Sequence, residues 1–314
     1  MYRIVFLDRA SLPVAVRRPA FAHDWAEYDA TAPEQVIERC LDAEVVISNK
    51  VRLDAAALAA LPQLKLIAVA ATGVNNVDLA AARRHGIAVA NIRGYAEHSV
   101  PEHALMLMLA LLRNLPAYQR ELAAGAWNAS PHFCHFGPTI RDLHGRTVAI
   151  VGAGTLGRRS AELARAFGAE TLFAEHRGTA TVRDGYTAFD EALARADVLS
   201  LHCPLTEATR NLIGTAELAA MKPDAILVNT ARGGLVDEAA LLAALRAGRL
   251  AGAGVDVLHE EPPRQGNALI EAGLPNLIVT PHVGWASFEA MSRLAAQLVD
   301  NIEAWADGSP QNLV

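Results

Sequence analysis

The sequence predicts an α/β protein made of two doubly wound parallel-sheet domains. Three observations predict it. Short apolar strands alternate with Ala-rich helical patterns along most of the chain, which places helices on the faces of parallel sheets. The apolar run Thr147–Val151 stops at the loop Gly152-Ala153-Gly154-Thr155-Leu156-Gly157 and resumes as a helical pattern, the strand, tight turn and helix of a dinucleotide-binding unit. A last amphipathic stretch, about 286–306, is expected to return to the first domain, which would then be discontinuous in sequence.

The chain has 314 residues, 52% of them hydrophobic. That suffices for two separate cores and excludes a disordered chain. A formal charge of −6 carries no footprint for nucleic acid, so a small anionic substrate would need a local basic site. Cys40, Cys134 and Cys203 are scattered without metal-ligand spacing; reduced thiols and no metal site are expected. Met1–Leu7 runs straight into a strand pattern rather than a leader. The richest apolar run, Ala104–Leu112, is too short to cross a bilayer. A soluble cytoplasmic protein without membrane or nucleic-acid partners is the expectation.

Residues 1–98 form the first part of one domain, with strands predicted at Arg3–Leu7, Val45–Ser48, Leu64–Val69 and Ile87–Ala90. No phosphate-binding glycine loop follows the first strand, and Asp8–Pro13 leads into an irregular stretch. The loop containing Gly73, Val74, Asn75 and Asn76 suits a turn with exposed amides able to grip a carboxylate. A plain turn with Asp78 as helix N-cap explains those residues equally well. Residues 99–285 form the second domain. Ser99 is a candidate N-cap for a long helix with Pro101 in its first turn, interrupted near Pro116. The stretch Gly125–Thr139, with Trp127, Phe133, Cys134 and Phe136, suits a dimer arm, a lid or a surface loop. Strands follow at 147–152, 171–174, 197–202, 225–229, 252–257 and 276–280, and residues 286–314 form the returning helix.

Each glycine of the loop has a separate task. Gly152 permits the sharp turn, Gly154 has no Cβ to keep a pyrophosphate off the backbone, and Gly157 lets helix and strand approach. The free amides of Thr155 and Leu156 then face the phosphates. Glu175 ends the next strand, 18 positions past Gly157, where a carboxylate accepts from the ribose hydroxyls. Ligands of such sheets lie beyond the carboxyl ends of strands. Polar groups stand at three of these ends: Asn229-Thr230-Ala231-Arg232, Asp256 with Glu260-Glu261-Pro262, and Thr280-Pro281-His282. Arg232, flanked by glycines, could hold a substrate carboxylate bidentately; its plainer reading is an ion pair with Asp237. His282 titrates in the range needed to move a hydroxyl proton, although a lone histidine is more often structural. A carboxylate on its other ring nitrogen would fix the tautomer and favour the acid form. Glu261 is the candidate, 21 residues away, so only the fold can bring the two together. Otherwise Glu261 is an exposed loop carboxylate, as Glu260 is expected to be.

Taken together, the glycine loop, Leu201-His202-Cys203-Pro204-Leu205-Thr206, the run Met221–Glu238, Gly254-Val255-Asp256-Val257, Glu261-Pro262 and Thr280-Pro281-His282 resemble the D-isomer-specific 2-hydroxyacid dehydrogenases over essentially the whole chain. The resemblance implies a Rossmann cofactor domain inserted in a flavodoxin-like substrate domain, NAD as cofactor, and a homodimer joined through the cofactor domains. It implies Arg232, Glu261 and His282 as catalytic residues and Asp256 facing the nicotinamide. Gly73 and Val74 would bind the substrate carboxylate by their amides, beside Arg232 and His282. Val100, Pro204, Thr206, Thr230 and Ala231 would line the cofactor. A narrower similarity, to the glycerate dehydrogenase (hydroxypyruvate reductase) branch, rests on Ile47–Lys50, Ala71–Asp78, Gly94-Tyr95, Trp127–Ser130 with Phe133-Cys134, and Trp285. It implies a small 2-oxoacid as substrate, hydroxypyruvate first and glyoxylate as an alternative.

Where many relatives carry Asp, this chain has Glu175-His176-Arg177. Glu175 would repel a 2′-phosphate and favour NAD, whereas Arg177 would soften that preference towards NADP. Arg158 and Arg159 are expected on a solvated helix face. Two rivals stand beside the dehydrogenase reading: a phosphoglycerate or formate dehydrogenase on the same scaffold, and a non-enzymatic NAD sensor of the corepressor kind. The complete Arg, Glu and His set favours an enzyme, and an end at Val314 leaves no room for an added regulatory domain.

Overall fold

The computed structural model describes all 314 residues, which fall into two compact units, Met1–Tyr95 with Ala286–Val314, and Ala96–Trp285. In the first unit β1 (Tyr2–Phe6), β2 (His23–Glu27), α1 (Val36–Cys40), β3 (Val45–Ser48), α2 (Ala55–Ala59), β4 (Leu66–Val69), α3 (Leu79–Arg84) and β5 (Ala88–Ala90) follow in turn. The sheet is parallel and has the order β2-β1-β3-β4-β5, the flavodoxin-like winding. β3 and β4 are buried at every position, which is why they read as unbroken apolar runs. Asp54 and Asp78 start α2 and α3 by accepting from Ala57 N at 3.0 Å and Ala81 N at 2.8 Å, caps each contributing roughly 1 kcal/mol.

β2 is a strand where the sequence suggested irregular chain. His23-Asp24-Trp25-Ala26-Glu27 has neither an apolar run nor clean alternation, because it is an edge strand paired on one side only, to β1. Charged edge strands also resist further pairing.

The second unit holds α4 (Ser99–Leu112), α5 (Leu115–Ala123), β6 (Thr147–Val151), α6 (Thr155–Ala166), β7 (Glu170–Ala174), β8 (Tyr186–Thr187), α7 (Phe189–Arg195), β9 (Val198–Leu201), α8 (Thr215–Ala220), β10 (Ile226–Asn229), α9 (Glu238–Arg246), β11 (Gly252–Val255), α10 (Ala268–Glu271) and β12 (Leu277–Val279). Its parallel sheet runs β12-β11-β10-β9-β6-β7-β8. Strand order reverses between β6 and β9, the switch point at which such sheets bind ligands. One core lies under α7 to α9 around Leu199, Leu227 and Leu241. The other, around Leu107, Met108, Ile150 and Val228, lies under α4 and α6.

Ser99 does not cap α4. It is the first helical residue, and its Oγ donates to Gly284 O at 2.5 Å, tying the helix start to the turn after His282. The interruption near Pro116 is a left-handed Asn114 (φ 52°) between α4 and α5. α11 (Phe288–Ala306) completes the first unit, lies against β4 and starts at Ser287, which accepts from Ala290 N at 3.1 Å. No helix is long and apolar enough to cross a membrane.

Candidate active site

The cofactor loop begins where β6 ends. Gly152 has φ 101°, and a Cβ there would lie 2.7 Å from Cys203 N, so only glycine lets β6 turn beside the strand end at β9. A Cβ on Gly157 would lie 1.9 Å from Gly152 O, so the first turn of α6 rests on the backbone of the loop. Nothing lies within 4 Å of a Cβ built on Gly154. The loop is therefore crowded behind and open in front, and no side chain caps the amides of Thr155 and Leu156. Such a cradle fits a pyrophosphate. Arg158, expected to be merely solvated, lies over the Phe173 ring at 5.4 Å, while Arg159 pairs with Glu162 at 2.8 Å.

Among the other residues expected to line the cofactor, Val100 is buried in α4, and Thr230 at the end of β10 is buried with its Oγ1 unpartnered. Ala231 N donates to Asn229 Oδ1 at 3.1 Å. Pro204 O accepts from Thr209 Oγ1 at 2.7 Å, and Thr206 N donates to the same hydroxyl at 2.7 Å.

At the end of β7, Glu175 is only 2% exposed. Its Oε1 accepts from His176 N at 2.8 Å and Arg183 Nη2 at 2.6 Å, and its Oε2 from Arg183 Nε at 2.7 Å and Arg183 N at 3.1 Å. The Arg183 guanidinium and these amides hold the carboxyl down at about 2. Arg177, which the sequence offered as a phosphate partner, pairs instead with Glu217 at 2.8 Å. Arg183 was missed because no motif marks it: it stands eight residues beyond Glu175 in a loop, and only folding closes that loop.

Glu261 and His282 come together. His282 Nδ1 donates to Glu261 Oε2 at 2.7 Å, and Glu261 Oε1 accepts from Leu258 N at 2.8 Å. One carboxylate thus holds its own loop with one oxygen and orients the imidazole with the other. The histidine backbone is left-handed (φ 54°), and its N–H donates to Asp256 O at 2.8 Å. The Asp256 carboxylate, 2% exposed, accepts from Thr280 Oγ1 at 2.6 Å, Val283 N at 2.9 Å and Gly284 N at 2.9 Å. His103 from α4 reaches Thr280 Oγ1 at 3.0 Å. Asp256 therefore braces the turn that carries His282.

Arg232 follows β10. Its carbonyl accepts from Asn229 Nδ2 at 2.9 Å, and its Nη1 donates to Ala231 O at 2.7 Å. Asp237 is not its partner: that carboxylate caps α9 through Ala240 N at 3.0 Å. A Cβ on Gly233 would lie 1.8 Å from Leu258 O, so the Arg232 loop is pressed on the loop that carries Glu261. In the first unit, Thr72 O accepts from Asn91 Nδ2 at 2.8 Å and Asn76 Nδ2 donates to Val51 O at 3.1 Å. No hydrogen bond is donated within the chain by the intervening amides of Gly73 and Val74.

The sequence model described as D-isomer specific 2-hydroxyacid dehydrogenase, NAD binding domain, matches residues 105–284. The chain is 51% identical to the glycerate dehydrogenase of Methylorubrum extorquens over 99% of its own length and 98% of that protein. It is 34% identical to the hydroxypyruvate reductase of Blautia hydrogenotrophica over 91% and 90%. Among solved structures, the D-lactate dehydrogenase of Aquifex aeolicus complexed with NAD and lactic acid superposes with a TM-score of 0.83 at 25% identity, covering 99% and 98%. The fold, the NAD-binding unit and this similarity agree: the chain belongs to the D-isomer-specific 2-hydroxyacid dehydrogenases, NAD-dependent oxidoreductases of 2-hydroxy acids.

Proposed function

We propose that this protein reduces hydroxypyruvate to D-glycerate and runs the reverse reaction, with Arg232, Glu261 and His282 as its working residues. The observation that carries the reading is the 2.7 Å bond from His282 to Glu261, made on a histidine whose backbone is braced by Asp256. Arg232 orients the 2-oxoacid by its carboxylate and polarises the ketone. NADH, when bound, supplies hydride to C2 of the ketone. His282 gives its Nε2 proton to the oxygen that becomes the hydroxyl, and Glu261 stabilises the imidazolium before transfer and fixes the tautomer. In oxidation the same nitrogen takes the hydroxyl proton.

The similarity to a glycerate dehydrogenase over nearly the whole length supports the substrate, and glyoxylate is the nearest alternative. A homodimer is part of this reading. It is supported by the stretch 125–139, where Phe133 and Phe136 are 93% and 84% exposed, since exposed aromatic side chains are candidates for an interface. A cytoplasmic site is in keeping with three unpaired cysteines.

The test is NADH oxidation with hydroxypyruvate, glyoxylate, pyruvate and phenylpyruvate. Hydroxypyruvate should have the highest kcat/KM. Preference for phenylpyruvate would retain the chemistry and overturn the substrate, and silence across the panel despite NADH binding would favour the sensor. With Arg232→Ala, KM for the 2-oxoacid should rise by about tenfold or more, as expected for loss of one charged contact; an unchanged KM would remove Arg232 from the site.

A further inference from the structure

We propose that Arg183 sets the choice between NADH and NADPH, and that through it the protein accepts both. The inference rests on the dehydrogenase reading and adds a residue that neither the motifs nor the similarities assign. A carboxylate at the end of the second strand normally does two things: it accepts from the two ribose hydroxyls, and it repels a 2′-phosphate. Glu175 is in a position to do neither. A carboxylate has about four acceptor sites, and the four donors from His176 and Arg183 take two on each oxygen. The charge that would exclude a phosphate is cancelled by a guanidinium 2.6 Å away.

The same guanidinium can serve the phosphate. Arg183 is 52% exposed although its partner is 2% exposed, so the cation sits on the solvent side of the pair. Its head lies over the Tyr186 ring at 4.0 Å, which holds the plane of the fork. Nε and one proton of Nη2 point at Glu175, leaving the remaining three N–H donors of the five for a planar, bidentate grip on phosphate. Arg177 does not compete, because Glu217 holds it. For a cofactor without the 2′-phosphate, the ribose must borrow acceptors from Glu175 by loosening Arg183. For one with it, the pair stays closed and Arg183 is the docking group.

The experiment measures binding of two ligands without the nicotinamide, ADP-ribose and its 2′-phosphate, to the full chain by calorimetry. The proteins are the wild type, Arg183→Ala, Arg183→Lys, Glu175→Gln and the double variant Arg183→Ala with Glu175→Gln. Wild type should bind the two ligands within about tenfold of each other. Arg183→Ala should lose about tenfold or more in affinity for the 2′-phosphate form, the size of one charged hydrogen bond, and keep or gain affinity for ADP-ribose. Arg183→Lys should keep part of the phosphate affinity, since the charge remains and the fork does not. In the Glu175→Gln background the loss on Arg183→Ala should be smaller, because there is no carboxylate left to unmask. Binding of both ligands with a ratio unmoved by Arg183→Ala overturns the proposal and leaves the dehydrogenase reading standing. Exclusion of the 2′-phosphate form by the wild type overturns it as well. Failure of both ligands to bind any of the proteins overturns the nucleotide site itself.

Discussion

Gly233 and Leu258 are in such close backbone approach that a Cβ on the glycine would fall 1.8 Å from the leucine carbonyl oxygen. Arg232 precedes that contact and Glu261 follows it by three residues, so a single glycine sets the spacing of two side chains proposed to act in catalysis. Gly233→Ala should displace one loop or the other. We expect a lower melting temperature together with a fall of at least about tenfold in kcat/KM, since small misplacements of reacting groups are costly. Wild-type values for both would show that the spacing is set elsewhere.

His282→Gln should lower kcat by roughly 10²–10⁴, the usual worth of a positioned acid-base group, and leave the NADH dissociation constant unchanged. Glu261→Gln should retain part of the activity, because an amide oxygen can still accept from Nδ1 although it no longer stabilises a charged ring. Stopped-flow hydride transfer with titration of NADH fluorescence separates the two effects. Full turnover in the histidine variant would end its role.

Asp256 offers a separation between structure and cofactor contact. Its carboxylate accepts from Thr280, Val283 and Gly284. Asp256→Asn would turn an NH₂ towards donors. The cofactor-free protein should lose about 1–3 kcal/mol, the cost of leaving buried donors unsatisfied, read from urea unfolding. An unchanged midpoint with weakened NADH binding would make Asp256 a cofactor contact only.

The last two glycines of the cofactor loop should behave differently. Gly157→Ala meets the Gly152 carbonyl at 1.9 Å, whereas Gly154→Ala meets nothing within 4 Å. The first variant should fold poorly. The second should melt as wild type and bind NADH at least about tenfold more weakly, because its methyl occupies the face kept free for the pyrophosphate. Calorimetry with NADH checks this, and unaltered affinity in Gly154→Ala would move the pyrophosphate off the loop.

His202 gives a pH dependence. Burial pushes this imidazole from 6.5 down to about 4, its Nε2 lies 2.9 Å from Ser200 Oγ, and its Nδ1 has no partner. The unfolded chain takes a proton that the fold refuses, so this contribution is complete above pH 6.5 and is lost as pH falls towards 4. The slope is at most one proton, about 1.4 kcal/mol per pH unit. His202→Gln should remove that slope from urea midpoints measured between pH 7 and pH 4, and an identical slope in the variant would place the proton uptake on another group.

Much of this was legible before folding. The pattern from Thr147 to Ala166 reads as strand, turn and helix because each signal lies within a few residues of the next. The same is true of Asp78, whose cap closes over three residues, whereas Asp237, read as an ion-pair partner for Arg232, turned out to cap its own helix. β2 was not legible, since an edge strand packed on one side needs no apolar periodicity. Nor was Ser99, whose hydroxyl found Gly284 across 185 residues instead of its own helix.

By itself, then, the sequence determined the alternation of strands and helices, the glycine loop and the side-chain types at the strand ends, since backbone propensity and burial periodicity are local. Tertiary structure alone decided the pairings. It joined Glu261 to His282 across 21 residues, gave Asp256 to the turn that holds the histidine, and gave Glu175 to Arg183 while Arg177 went to Glu217. The physical reason is that a hydrogen bond or ion pair is fixed within a few tenths of an ångström by the position of both partners. For distant residues that position is set by how loops close and cores pack, which no short stretch of sequence encodes.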